Sequence, residues 1–446
     1  MAKKKLEGTV EIEGSKFEKA IGEFSRDAYL DYGEYVNCHR HLAYIQDGVK
    51  VSYRRLIYAA TQFPKGRDIP STTLISSVAA YHPHGLTGIE DLNANLVKSG
   101  IFSGSGFFGS TSIDGTDSPH AAPRYTKNRL SDLYWDLMGR LIKEVPYVES
   151  PVGALEPEFL PTPLPMCLYM KNLVSGLGVG ISTIYPNFSP ESLYQAYIHN
   201  NPELLEPNVD LFIDKANSEL KRLWETGKGR VIYSYKISRS LGPDGKTEGI
   251  LFEGDTGLFT PSVKRFGKLQ EEGKVFMEDM TDIGGPKLFI GRVPGARGIT
   301  IDDIESLCRK ICYSASTYVL NVTDGKTAFR IPLYDWLDIS FKNYNKLITA
   351  VNKKRIEKTK FDIVVLESTP AIVDYVLNKN PKATDKEIQD ALGLDEAIVC
   401  AVMSKPISTL RKNKDNSARL KDLKALLKEL RAFDPVKYTE EIIKKM

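Results

Sequence analysis

The chain has little cysteine and little histidine: five Cys and six His among 446 residues. Cys38, Cys167, Cys308, Cys312 and Cys400 are scattered. Cys308 and Cys312 lie one helical turn apart, but no neighbouring His or Cys completes a zinc set. This excludes a zinc module and a disulfide framework, and predicts reduced, mostly buried thiols in a cytosol-like compartment. No run of about 20 apolar residues occurs, so no segment is expected to span a membrane. MAKKKLEG has no apolar stretch behind its lysines and does not read as a signal peptide. Charge of one sign is also missing. Sixty basic residues face 57 acidic ones for a net +3, which excludes a uniformly basic DNA coat but leaves room for a localised basic groove.

Nucleotide-binding loops are lacking as well. GSGFFG (104–109) fits G-x-G-x-x-G, yet it runs into STSIDGTDSPH, which is loop chemistry rather than the helix a dinucleotide site requires. GPDGKT (242–247) has two residues between its glycines where a P-loop needs four, and its place between β-rich runs predicts a hairpin turn. No D-x-D pair beside a strand offers a magnesium cage, so no metal ligand is assigned to this chain. There is no internal repeat and no low-complexity tract.

What is present is a soluble globular composition, 42% hydrophobic and 26% charged, with a length that suggests roughly two to four domains. VSYRRLIYAA (51–60) predicts a helix with Val51, Leu56 and Ala59 inward and Arg54 and Arg55 more exposed. After the breaker FPKGRDIP, Ser71 is placed as the cap of a second helix, STTLISSVAAY, which Pro83 ends. Two short helices followed by Gly-rich loops are compatible with a winged-helix DNA-binding unit. Prolines then crowd 146–186, marking a boundary or an extended crossing segment. Between 187 and 340, β-rich runs (GRVIYSYKIS, KLFIGRV, STYVLNVT) and turns (GPDGK, TDGK) predict an α/β region with a mostly antiparallel sheet. Toward the end, Leu420, Leu423, Leu427 and Leu430 form a coiled-coil-like stripe. FKNYNKLITAVNKKRIEKTKFDIVVLE is its expected antiparallel partner, and KATDKEIQDALGLDEAIVCAVM a small helical knob at the tip. A hairpin with a knob suggests a dimerisation arm, against the alternative of an ordinary helical subdomain.

One tyrosine of the 22 carries a chemical question. In HAAPRYTKNRL (120–130) Tyr125 follows Arg124. A phenol is a poor nucleophile at neutral pH, and an adjacent cation both favours its ionised form and stabilises charge growing on phosphorus. Upstream, YHPHG (81–85) projects His82 and His84 from a rigid turn, suited to phosphate contact or proton transfer. Spacing alone leaves the nucleophile open, because Arg-Tyr pairs are common and His-Pro-His turns are often structural.

Four segments in order, RHLAYIQDGVKVSYRR (40–55), YHPHG (81–85), GSGFFGSTSIDGTDSPHAAPRYTKNRL (104–130) and SGLGVGISTIYPNFSP (175–190), resemble the breakage-reunion (A) subunit of type IIA DNA topoisomerases, the family of gyrase and topoisomerase IV A subunits. WETGKGRVIY (224–233) and the helical hairpin extend the likeness. The resemblance implies a multidomain α+β protein: a winged-helix domain with the catalytic tyrosine (1–145), an α/β tower domain (146–340), and an antiparallel coiled coil with a dimerisation domain (341–446). It implies Tyr125 as nucleophile, taking the 5′ phosphate, with Arg124, Arg40 and His84 around the reacting phosphate. Lys50, His82, Arg54, Arg55, Lys228 and Arg230 would hold DNA, and Leu177 would wedge between base pairs where the family has isoleucine. Thr87 and Asp91 match the family's quinolone-pocket positions. Leu86, Lys127 and Val51 depart from the family's usual Asp, Glu and Pro. Magnesium and ATP would be held by a B-type partner in an A2B2 assembly on double-stranded DNA, associated with DNA in the cytoplasm. A chain that stops at the hairpin, without a wrapping domain, is expected to relax and decatenate rather than supercoil, and its compactness fits a phage or viral version. The alternatives are a non-catalytic DNA-bending or bridging dimer and, more remotely, a tyrosine recombinase, which needs a spread Arg-His-Arg set before a C-terminal tyrosine.

Overall fold

The computed structural model describes residues 7–12, 15–111, 117–170, 175–208, 211–253, 266–280, 287–311, 313–404 and 417–446. Cys312 and the middle of STSIDGTDSPH lie outside them. The fold is mixed α+β, and the chain divides into two compact units, Met1–Tyr344 with Ile442–Met446, and Asn345–Glu441.

The first unit opens with a β-hairpin, Glu7–Ile12 against Ser15–Ala20, and the helix Ile21–Val36, which runs into a π turn, Asn37–His41. The helices Val51–Thr61, Ser71–Ser77 and Thr87–Lys98 then surround a small antiparallel sheet. Its central strand, Lys127–Leu130, pairs with Ile69–Pro70 and Phe102–Ser105. Leu56, Ile57, Leu74, Val78, Leu96 and Phe102 are essentially sealed from water and form the core between them.

Two expectations are corrected here. Arg54 and Arg55 are buried, each 6% exposed, not among the outward positions of their helix; Leu56 and Ala59 do face inward, and Val51 is half-buried. The burial is possible because each guanidinium meets a buried carboxylate, Arg54 at Asp47 and Arg55 at Glu156. Ser71 is not a cap. Pro70 holds the cap position with no side-chain bond, and the Ser71 hydroxyl instead donates to Asn128 Oδ1 at 2.8 Å inside the core.

Beyond the proline-rich segment lies an eight-stranded antiparallel sheet. The strand Lys228–Leu241 is its spine: the first half pairs with Tyr313–Val319 and the second with Glu248–Glu253. The expected runs GRVIYSYKIS and KLFIGRV and the first half of STYVLNVT fall in its strands, while Asn321–Thr323 pairs in a separate three-stranded sheet. GPDGKT is the hairpin turn between Lys228–Leu241 and Glu248–Glu253, with Asp244 Oδ1 accepting from the amides of Lys246 and Thr247 at 2.9 Å. TDGK is likewise a turn, closed by Asp324 on the amides of Lys326 and Thr327. GSGFFG starts in a strand and continues to the short strand Ser110–Thr111, so no helix opens at its last glycine.

The second unit holds the helix Leu333–Asp374 from Asn345 onward, and there Ser417–Ala432 pairs with it antiparallel. Asn352 donates to the Leu430 carbonyl, and Lys424 meets Glu367 at 2.8 Å, so ascending numbers on one helix meet descending numbers on the other. The leucine stripe is half-buried at Leu420, Leu423 and Leu427 and buried at Leu430. Helices Asp385–Leu392 and Glu396–Met403 form the knob, around Val365, Ile372, Ile388, Val399 and Val402. Cys38, Cys167 and Cys308 are buried, whereas Cys400 is exposed.

Candidate nucleic-acid interface

Tyr125 closes a single 3-10 turn, Pro123–Tyr125. Pro123 suits the first position of that turn, where no N–H is needed. The phenol stands 69% exposed, more than Tyr29, Tyr32, Tyr35 or Tyr147, and the Arg124 guanidinium lies 4.6 Å from its ring centroid. By contrast, burial pushes the phenols of Tyr134, Tyr169, Tyr185 and Tyr233 up, which disables them as nucleophiles near neutral pH. Directly behind Tyr125 the structure is fixed. Thr126 is buried and donates to Ser71 Oγ at 2.8 Å, Ser71 donates to Asn128, and Asn128 donates to Asn93 Oδ1 at 2.7 Å. Gly106, at φ +112°, packs on this turn: a Cβ there would sit 3.1 Å from the Tyr125 carbonyl oxygen and 3.0 Å from Thr126 Cγ2. The glycine-rich loop is therefore a close-packing device against the tyrosine turn. His120, five residues earlier, bonds Asp91 at 3.1 Å and so ties the approach to the Thr87–Lys98 helix. Thr87 opens that helix, and both Thr87 and Asp91 are exposed.

A cleft of about 800 Å³ gathers most of the other expected residues: Arg40, Arg54, Arg55, His82 and His84 all line it. Arg40 is exposed on the π turn, 5.7 Å from the Tyr35 ring. The His82 and His84 rings stand edge to face, 5.2 Å apart. Burial, and then the charges of Arg55, His84 and Arg40, lower His82 to about 4. Burial and Arg40 lower His84 as well. Both imidazoles are thus uncharged at pH 7 beside a cationic wall, each able to offer its single N–H to a phosphate oxygen. Lys50, just before the Val51–Thr61 helix, is half-buried, and burial lowers its ammonium.

Among the described side chains, those of Tyr125, Arg124, Lys228 and Arg230 are not in the lining of this cleft. Lys228 and Arg230 begin the long spine strand, with Arg230 exposed. Leu177 ends the strand Ser175–Leu177, paired across a tight hairpin with Ser182. Asn37 clamps this hairpin: its side chain donates to the Val179 carbonyl at 3.0 Å and accepts from the Val179 amide at 2.8 Å. A Cβ on Gly178 would collide with Asn37 Oδ1, which explains one glycine of SGLGVG.

Three residues that sequence reasoning did not single out brace this site. Asp47 is fully buried and accepts from Arg54, from the Val49 amide and from the Leu160 amide. Glu156 takes Arg55 through two bonds, 2.7 and 2.8 Å. Asn37 has the role just described. Asp47 sits inside the RHLAYIQDGVKVSYRR segment, whereas the one sequence signal for Glu156 is a carboxylate in a proline-rich setting. Among the described residues no group of three or more His, Cys, Asp or Glu could hold a metal ion, and no helix is long and apolar enough to cross a membrane. The donor set of the described residues therefore does not fit a magnesium cage.

Residues 40–250 match the family model for the A subunits of DNA gyrase and topoisomerase IV. The DNA gyrase A subunit of Thermotoga maritima is 29% identical over 234 residues, 47% of this chain and 28% of the relative. The DNA gyrase A subunit of Salmonella typhimurium is 30% identical over 237 residues, 47% and 26%. The DNA topoisomerase 4 A subunit of Neisseria gonorrhoeae is 29% identical over 245 residues, 49% and 31%. The matched part spans less than a third of each of these relatives, and about half of this chain.

Proposed function

Because the chain belongs, through residues 40–250, to the family of DNA gyrase and topoisomerase IV A subunits, we propose that it is the DNA-cleaving and religating subunit of a type IIA topoisomerase. The observation that carries the reading is the Tyr125 turn: an exposed phenol with a guanidinium over its ring, on a turn locked from behind by Thr126. In this reading the Tyr125 oxygen bonds a backbone phosphorus as the phenol releases its proton. The bond from that phosphorus to the 3′ oxygen breaks, and the 3′ oxygen leaves as a hydroxyl by taking up a proton. No water enters, so the ester energy is kept in the phosphotyrosine and the strand can be resealed. Arg124 balances the charge that grows on the phosphoryl oxygens, and Arg40 and His84 contact the same phosphate. His84, neutral near pH 7, is able to accept the phenol's proton. Lys228 and Arg230 extend a backbone-contacting surface that positions duplex without reading sequence. Leu177 is the apolar wedge, and unstacking a base step, at a few kcal/mol, is offset by contacts to the bent duplex.

The reading assigns ATP hydrolysis and magnesium to a B-type partner, not to this chain, with magnesium assisting the leaving oxygen when bound. It makes the working assembly A2B2, with two copies of Tyr125 cutting opposite strands. It also assigns the winged helix, the tower and the dimerisation arm to residues 1–145, 146–340 and 341–446, and the drug-pocket positions to Thr87 and Asp91.

The test is Tyr125→Phe. The wild-type chain, mixed with a B-type partner, magnesium and supercoiled plasmid and stopped with detergent, is expected to yield protein linked to 5′ ends, and the variant none. A variant that still forms the adduct refutes the assignment. Wild-type protein that bends or loops DNA and never forms it identifies the non-catalytic bridging dimer.

A further inference from the structure

Arg55 spends its donors inside the protein. Nε and Nη2 go to the two Glu156 oxygens at 2.7 and 2.8 Å, and Nη1 lies 3.3 Å from His82 Nδ1. Glu156 and Arg55 are 7% and 6% exposed, so this fork is shielded from competing water. A guanidinium has only donors, so the His82 nitrogen facing it must carry a lone pair. A neutral imidazole whose Nδ1 accepts keeps its proton on Nε2. His82 lines the cleft next to His84 and Arg40.

We propose that Glu156 is a positioning residue: by gripping Arg55 in a two-bond fork it fixes His82 in the Nε2–H tautomer, presenting that N–H as a donor to a DNA phosphate in the cleft. Glu156 itself touches no substrate. Its carboxylate stops the guanidinium from rotating and so stops the ring from exchanging tautomers. The neutrality of His82, held low by burial and by Arg55, means that the phosphate is met by a directed hydrogen bond and not by a mobile charge, while Arg40 supplies the charge. The phosphate part of this proposal rests on the topoisomerase reading; the tautomer part does not.

Both parts are read on the intact chain labelled with ¹⁵N-histidine, the His82 signals being assigned with His82→Gln. Long-range ¹H–¹⁵N correlation at pH 7 is expected to show His82 with Nδ1 bare and Nε2 protonated. Glu156→Gln is expected to give mixed tautomers at His82, and to lower formation of the 5′-linked adduct by about 10- to 100-fold, the range for a misplaced contact group. Glu156→Asp, which keeps the carboxylate, is expected to restore a single tautomer and most of the adduct. An Nδ1–H tautomer in the wild type overturns the proposal, and this measurement needs no variant to fold. So does a Glu156→Gln spectrum with His82 unchanged. If the wild type forms no adduct with any B-type partner, the topoisomerase reading and the phosphate role fall together, while an Nε2–H tautomer that is lost in Glu156→Gln still establishes Glu156 as the group that sets it.

Discussion

At the scale of single residues, His82 couples the site to pH. An unfolded imidazole titrates near 6.5, whereas burial and Arg55 bring the folded one to about 4. Between those values the unfolded chain binds a proton that the folded chain refuses. Stability from this residue is therefore complete above about pH 6.5 and declines as the pH falls toward 4. His39, His41 and His84 are lowered too, so the whole site weakens in acid. Comparing the wild type with His82→Asn by urea unfolding at pH 7.5, 6 and 5 isolates one contribution. The wild type is expected to lose more stability than the variant on acidification, by less than about 1.4 kcal/mol per pH unit because the ring is only half-buried. Equal losses contradict the assignment. Tyr125 shows the opposite design. It is exposed, with the Arg124 guanidinium 4.6 Å from its ring centroid.

At the scale of elements, Asn37 joins two motifs that stand far apart in sequence: the π turn that carries Arg40 and the hairpin that carries Leu177. Asn37→Ala removes both bonds to Val179, at a cost of about 1–3 kcal/mol if its partners stay unmet. If Leu177 is the wedge, the loosened hairpin is expected to bend an end-labelled duplex less, read as a smaller energy-transfer change, while affinity shifts only a few-fold because the backbone contacts remain. Full bending by a folded Asn37→Ala protein removes this link. What the sequence disclosed at this scale follows from range. Strands with period-2 or continuous apolar patterning, the GPDGK and TDGK turns, the leucine stripe and the knob are encoded within a few residues of themselves, and the structure has them. The burial of Arg54 and Arg55 was not legible, because helical periodicity turns arginine outward by default. The carboxylates that reverse this lie outside the helix: Asp47 is in the loop before it, seven residues from Arg54, and Glu156 is 101 positions from Arg55. Ser71 was misplaced for the same reason: a serine before a helix reads as a cap, and its true partner Asn128 is 57 positions away. The likeness of the YHPHG and RYT segments to a known family pointed to the candidate site, whereas the Arg55–Glu156 and Asn37–Val179 pairs that brace it join residues 101 and 142 positions apart and have no local signature.

At the scale of the whole molecule, the second unit bears on assembly. Its stem is not held by charge. Lys424 and Glu367 are both substantially exposed, and such a pair contributes about 0–1 kcal/mol. The leucine stripe and the closed core around Ile372, Ile388 and Val399 make the hairpin and its knob a self-supporting body. A unit that folds on its own apolar contacts, shows Leu377 at 43% exposure and leaves Leu392, Leu394 and Ile398 only partly buried against its core is suited to meet a second copy of itself. A duplex cut on both strands requires two tyrosines, so the proposed chemistry needs this contact, or one like it, to keep the cut ends together. The chain is expected to sediment at twice 49.9 kDa. Leu377→Glu places a charge where apolar contact is expected and should weaken the dimer by about 2 kcal/mol, ~30-fold in dissociation constant, with circular dichroism unchanged because Leu377 is outside the buried core. Sedimentation at 49.9 kDa over the accessible concentration range removes the arm's assigned role. A wild-type dimer that Leu377→Glu leaves equally tight moves the interface away from the knob.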